Sequence, residues 1–135
     1  MRLYLDSCVL IHFVERQNPQ YAAAIAEALQ QRRVLRPVVC WTHLTRMECR
    51  VKPVIDKNTV SLLQFETFFA RPDTECLALT LAVFDLATEL RARHRLKTPD
   101  ALHLATAIQA GCEEFWTNDH RLDMAAGNHL KTVTL

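Results

Sequence analysis

Glycine is nearly absent from this chain, with two residues in 135, and proline is sparse at five. Few loops of special backbone geometry are therefore expected, and long regular elements, helices above all, should dominate. Long hydrophobic runs are missing too. The opening MRLYLDSCVLIHFVE is broken by Asp6 and His12 and is too short and interrupted for a signal peptide or a membrane span, so no membrane association is expected. The five cysteines, at 8, 40, 49, 76 and 112, are odd in number and include no C-x-x-C. That argues against a disulfide framework or a zinc knuckle, and reduced thiols packed as small hydrophobes fit a cytoplasmic protein. Charge of one sign is not in excess, since the formal net charge is +1, so any nucleic-acid binding must come from local patches. Aromatics make up 7% of the chain and form no interleaved platform for stacking bases.

What is present is apolar material. Half of the residues are hydrophobic, enough for a sizeable core, and the length suits one domain spanning residues 1–135. Leu3 to Leu5 reads as a first strand and Val9 to Glu15 as a helix. Asn18-Pro19 punctuates the chain before a helix from Tyr21 to Gln31. The β-branched run around Val38 to Trp41 predicts a second strand, after which Thr42 is placed to cap a helix that Pro53 would end or bend. Thr59 to Phe69 reads as a helix and Glu75 to Leu79 as a third strand. Val83, Phe84, Leu86, Ala87 and Leu90 keep helical spacing. Thr98-Pro99-Asp100 reads as a cap, a first-turn proline and an acid at the positive helix end, and Gly111 as the stop. Glu114 to Thr117 and Lys131 to Leu135 complete about five strands, with a short helix from His120 to Ala126 between them. Strands alternating with helices predict a central parallel sheet covered on both faces, a three-layer α/β/α sandwich.

In such sheets ligands bind beyond the carboxyl ends of the strands, where the winding reverses. Asp6 follows the first strand and Asp119 the fourth. Glu48 lies on the helix after the second strand, and Asp100 opens the helix before the fourth. Each alone reads equally as a helix cap, a dipole partner or, for Thr45 with Glu48, half of a capping box. Together they suggest a shared acidic rim. Like charges at about 4 Å repel by about 1 kcal/mol in water and about 4 kcal/mol at an effective dielectric of 20, so four gathered carboxylates call for protons or a cation. Oxygen donors without a Cys/His cluster favour Mg²⁺ or Mn²⁺ over zinc.

At these residues the sequence resembles the PIN-domain family, and in particular the VapC-type toxins of bacterial toxin–antitoxin pairs. YLDSCVLIHFVE is similar to the family's strand, acid, small hydroxyl residue and apolar helix, and Thr45-Arg46-Met47-Glu48 to its [ST]-x-x-E segment. Thr98 to Ala107, TPDALHLATA, resembles its D-A-x-x-A-A helix, and Phe115 to Asp119, FWTND, its final strand and T-x-D end. Cys8 stands where Asn is frequent in the family, and His103 where the family varies. The resemblance implies an endoribonuclease dependent on Mg²⁺ or Mn²⁺, with Asp6, Glu48, Asp100 and Asp119 as the catalytic, metal-holding acids. It also implies an antitoxin partner and a homodimer.

Ser7, Thr117 and Asp123 are possible accessory residues beside those acids. Arg46 and Arg50 flank Glu48, and Arg91 and Arg93 lie in the densest basic run; either pair is placed to track RNA phosphates. Leu62, Phe65, Phe68 and Phe69, with Tyr21 and Ile25, read either as ordinary core or as a groove for a partner helix. The histidines show no metal spacing, although His103, one turn after Asp100, is weighed as a ligand. Two rivals stand beside this reading. One is a non-catalytic module on the same fold. The other is an aspartate-based phosphotransfer protein, which would want adjacent acids or D-x-D where Asp6 is followed by Ser7 and Cys8.

Overall fold

The computed structural model describes residues 1–135. Its elements run β1 (Arg2–Leu5), α1 (Ser7–Glu15), α2 (Pro19–Gln31), β2 (Val38–Trp41), α3 (His43–Ile55), α4 (Thr59–Phe69), β3 (Thr74–Cys76), α5 (Leu81–His94), α6 (Thr98–Gln109), β4 (Glu114–Thr117), α7 (His120–Ala126) and β5 (Lys131–Thr134). A 3₁₀ turn at Arg33–Leu35 precedes β2. All strand pairs are parallel, in the order β3-β2-β1-β4-β5. The first three strands therefore step one way from β1 and the last two the other way, which puts the winding reversal between β1 and β4. No helix is long and apolar enough to cross a membrane.

The strands sort their side chains by the two-residue period of extended chain. Tyr4, Cys40 and Phe115 face a core closed by Leu90 of α5, Leu104 of α6 and Leu122 of α7. Leu3, Leu5, Val39 and Trp116 face a second core closed by Leu10, Ile25, Phe65 and Phe68 of α1, α2 and α4. Burial on both faces explains why these strands read as continuous apolar runs. The architecture is the expected α/β/α sandwich.

Local chemistry sets the boundaries. Asn18 accepts from the Tyr21 N–H with Pro19 in the first turn, and Asn58 and Thr80 cap α4 and α5 in the same way. Several details depart from the expectations. The capping box on α3 joins Thr42 to Thr45, not Thr45 to Glu48, so the Glu48 carboxylate is free of the helix start. Thr98 is not a cap but the first residue of α6. Lys97 precedes it without a side-chain bond, and Pro99 supplies the preset backbone. Pro53 does not stop α3, which runs on to Ile55 and closes through the Asp56 N–H on the Lys52 carbonyl. Strand β3 is shorter than expected, because β2 ends at Trp41 and Leu77 N–H takes its last free carbonyl. Scarce glycine also did not spare the chain left-handed turns: Arg16, Arg36, Lys57 and Arg95 adopt φ of 57°, 47°, 51° and 54°.

Of the two readings of Tyr21, Ile25, Leu62, Phe65, Phe68 and Phe69, ordinary core rather than a partner groove holds for most of them. Ile25, Phe65 and Phe68 are buried and the others half-buried, because α4 packs across α1 onto the sheet. Exposed apolar side chains include Met47, Val51, Val54 and Ile55 on α3 and Val60 and Leu63 on the outer side of α4.

One buried ion pair ties the outer helix layer to the sheet. Arg32, just past α2, donates through Nε to both carboxylate oxygens of Glu114, at 3.0 and 2.8 Å, and its guanidinium lies 4.8 Å from the Trp116 ring. Trp116 Nε1–H donates to the same carboxylate at 2.8 Å. Removing one partner strands a charge that the fold has already desolvated. Arg32→Leu is expected to cost about 3 kcal/mol, read as a Tm loss on the order of 10 °C in thermal denaturation.

Candidate active site

The carboxyl end of β1 sits beside that of β4, with Leu5 in register with Trp116, and the next residue on each strand carries the chemistry. Asp6 is buried, with a relative exposure of 7%. Its backbone N–H extends the ladder to the Trp116 carbonyl. Its side chain begins α1 by accepting from Ser7 N–H at 2.8 Å through Oδ1, while Oδ2 accepts from Thr117 Oγ1 at 2.9 Å. Thr117 Oγ1 in turn accepts the Asp119 N–H at 3.1 Å, so one hydroxyl joins the two strand-end acids.

Glu48 comes to the same rim along α3. Ser7 Oγ–H donates to its Oε1 at 2.7 Å, and His103 Nε2 lies against that oxygen. Burial works against charge on this carboxyl, but the donors from His103 and Ser7 outweigh it and hold it below its ordinary range. Asp100 occupies the first turn of α6. Burial, followed by the negative fields of Asp6 and Asp119, raises its carboxyl above the usual value. Asp119 caps α7 and is clasped by Arg121, whose Nε and Nη2 lie 3.1 and 2.7 Å from its two oxygens; that clasp lowers its pKa.

Asp6, Asp100 and Asp119 thus share an electrostatic field, and Ser7 links Glu48 to Asp6. They do not form a finished coordination sphere: no three His, Cys, Asp or Glu side chains stand at ligand spacing. Arg121 holds Asp119 from the solvent side, and Glu48 is held through Oε1 by Ser7 and His103. The donor set nonetheless fits a hard divalent cation. It offers carboxylate oxygens only, and Asp100 lies in the fields of Asp6 and Asp119 without an ion pair of its own. Asp6, Glu48, Asp100 and Asp119 are the residues that would hold such an ion.

The accessory residues separate. Ser7 and Thr117 touch the acids, whereas Asp123 is exposed one turn along α7. Arg46 and Arg50 both reach Glu66 of α4, at 2.7 and 3.5 Å. Exposed pairs of this kind contribute at most about 1 kcal/mol, so a phosphate can compete with Glu66. Arg91 is spent on the Leu96 carbonyl at 2.9 Å, which closes the end of α5, and Arg93 is exposed.

Two residues of the rim have little sequence signal. Arg121 follows Asp119 by two positions, where a surface charge is unremarked. His103 lies in an apolar helix, and both ring nitrogens are engaged, one by Glu48 and one by Tyr4, so it is not a metal ligand here. Cys8 is placed beside Asp6 and Asn118, with its thiol pushed up to about 12 by burial and the Asp6 charge. It contributes no thiolate.

No curated protein matches the chain significantly. Among solved structures, it is similar to VapBC2 from Rickettsia felis bound to a DNA fragment from its promoter. That match has a TM-score of 0.77 at 13% identity and covers 99% of this chain and 98% of that one. It is also similar to a toxin–antitoxin complex from Klebsiella pneumoniae, with a TM-score of 0.65 at 21% identity, covering 98% and 96% of the two chains. At these identities the likeness speaks to the fold. The PIN-domain family model matches residues 3–128, nearly the whole chain and all four acids, and the protein belongs to the PIN-domain family.

Proposed function

We propose that this protein is an endoribonuclease dependent on Mg²⁺ or Mn²⁺ and the toxin of a toxin–antitoxin pair. The observation that carries the chemistry is the shared field at the sheet rim, where Asp100 feels both Asp6 and Asp119 at the β1/β4 reversal. When bound there, a divalent ion supplies a water of lowered pKa as nucleophile and positive charge for the leaving oxygen of an RNA phosphodiester.

The chain's own residues do the rest. Asp6 and Asp119 are fixed by the ends of adjacent strands, and Thr117 sets the distance between them. Ser7 holds Glu48 from the α1 side. Arg121, once released from Asp119, is a mobile exposed cation beside the acids, suited to an RNA phosphate. Arg46 and Arg50 lie on the Glu48 helix and are released by displacing Glu66.

The toxin reading is supported by the fold shared with VapBC2 and with the Klebsiella toxin–antitoxin complex. An antitoxin partner and a homodimer belong to it. The exposed strip Met47, Val51, Val54 and Ile55 on α3 supports a protein interface on the helix that carries Glu48.

Two measurements test the chemistry. Cleavage of single-stranded RNA is expected to stop with EDTA and return with Mn²⁺. Asp6→Asn is expected to lower the rate by about 10²- to 10³-fold while the protein keeps its circular dichroism spectrum. A folded Asp6→Asn variant that cleaves at the parent rate would overturn the role given to Asp6, and parent protein that neither binds Mn²⁺ nor cleaves RNA would leave the binding-module reading.

Asp100 gives a second test, in stability. A carboxyl raised in the folded state favours folding below its unfolded pKa and opposes it as the pH climbs through the folded value. Asp100→Asn is therefore expected to raise the Tm of metal-free protein at neutral pH, with no gain in acid below the ordinary aspartate range. The same variant is expected to lose RNA cleavage. A neutral-pH Tm that falls or stays level would remove the charge-crowding argument.

A further inference from the structure

His103 is buried at the functional end of the molecule, with 1% relative exposure. It lies on α6 one turn after Asp100, enclosed by the core beneath that helix. Its ring nitrogens sit between a carboxylate and a phenol. Nε2 faces Glu48 Oε1, and Nδ1 lies 2.6 Å from Tyr4 Oη. An ionised carboxylate only accepts, so Nε2 carries the hydrogen.

The phenol completes the assignment. Tyr4 Oη has two partners, His103 Nδ1 and Thr45 Oγ1, the latter at 3.3 Å. With the hydrogen on Nε2, Nδ1 is an acceptor, and Tyr4 Oη donates to it. Thr45 Oγ1 lies between Tyr4 Oη and Thr42 Oγ1, at 3.3 and 3.4 Å, and accepts the Thr42 N–H at 3.1 Å. The donors at the ring run in one direction, from Tyr4 to His103 and from His103 to Glu48. Tyr4 itself is held by stacking on Phe115, with ring centroids 5.5 Å apart and planes within 9°. The chain ends on one oxygen of Glu48. Ser7 donates to that same oxygen, and no protein donor reaches Oε2.

We infer that His103 is a positioning residue for the acidic site: with Tyr4 fixing its tautomer, it pins Glu48 through Oε1 and reserves Oε2 for a divalent cation. The inference rests on the metal-dependent reading above. It predicts that the packing role of the ring and its donor role are separable. His103→Leu keeps an apolar side chain of similar reach but loses the donor. His103→Gln keeps an N–H donor on a side chain that reaches the Nε2 position. Tyr4→Phe keeps the stack on Phe115 and removes only the hydroxyl that sets the tautomer.

The test uses Mn²⁺ alone, titrated calorimetrically into the full chain, alongside thermal denaturation and long-range ¹H–¹⁵N NMR of the imidazole. Parent protein is expected to hold the hydrogen on Nε2 before any metal is added. His103→Leu is expected to weaken Mn²⁺ binding by about 10- to 100-fold, the range for partners that orient metal ligands. Tyr4→Phe is expected to weaken it by severalfold, with the imidazole hydrogen no longer confined to Nε2. His103→Gln is expected to recover most of the affinity. If Tm falls in these variants while Mn²⁺ affinity holds, His103 is a core residue only and the inference is overturned. A parent hydrogen on Nδ1 overturns it as well, without touching the metal reading. A parent protein that binds no Mn²⁺ overturns the metal reading and this inference with it. Should His103→Leu fail to fold, Tyr4→Phe and the tautomer of the parent still decide the matter.

Discussion

Carboxylates do not gather unaided. A pair at about 4 Å costs about 1 to 4 kcal/mol depending on how much water remains, which is a sizeable fraction of the net stability of a small domain. In this protein the cost is contained by giving each acid of the rim its own attachment. Asp6 is held by Ser7 N–H and Thr117, Glu48 by Ser7 and His103, and Asp119 by Arg121. Asp100 is the exception, held by its place on a helix start and left with the unresolved charge. Much else follows from that arrangement. The strand ends must be adjacent, α1 must start at once after β1, and α6 must aim its first turn at the same edge.

The parts of this scheme that depend on neighbouring residues are legible in the sequence. Strand β2, helix α4 and helix α7 fall where the apolar periodicity and the flanking Asn, Thr and Asp residues put them. Asp6, Asp100 and Asp119 stand just after a strand or at a helix start, where a short pattern can mark them, whereas Glu48 lies well inside α3. What cannot be read locally is which donor meets which acid. Tyr4 and His103 are separated by 99 positions, and Ser7 and Glu48 by 41. Their meeting depends on which strand lies beside which, and no short pattern records that. A histidine in TPDALHLATA reads as an interruption of an apolar helix until β1 is placed beneath it. The same reason explains the aromatic cluster around Phe65. Its periodicity shows an apolar face but not whether another helix covers it, and here the sheet and α1 do.

The positive charge of the rim is arranged differently from the negative. Asp6 and Glu48 are held by short, partly buried bonds, whereas Arg46, Arg50 and Arg121 sit in solvent-facing pairs that a stronger anion can displace. By contrast, the arginine that matters most to the fold, Arg32, is enclosed at the opposite, amino-terminal end of β4. Buried ion pairs fix shape, and exposed ones keep charge available.

The bond between Thr117 and Asp6 spans 111 residues, and it joins the first strand to one formed near the end of the chain. A growing polypeptide leaving the ribosome cannot make it. Until β4 has emerged, β1 lacks a neighbour on that side, Asp6 lacks Thr117 and Asp119 is not yet present. The acidic rim is therefore among the last features to assemble during synthesis. A chain interrupted before residue 114 has most of its helices and none of its completed rim, so premature termination yields fragments in which the four acids never meet.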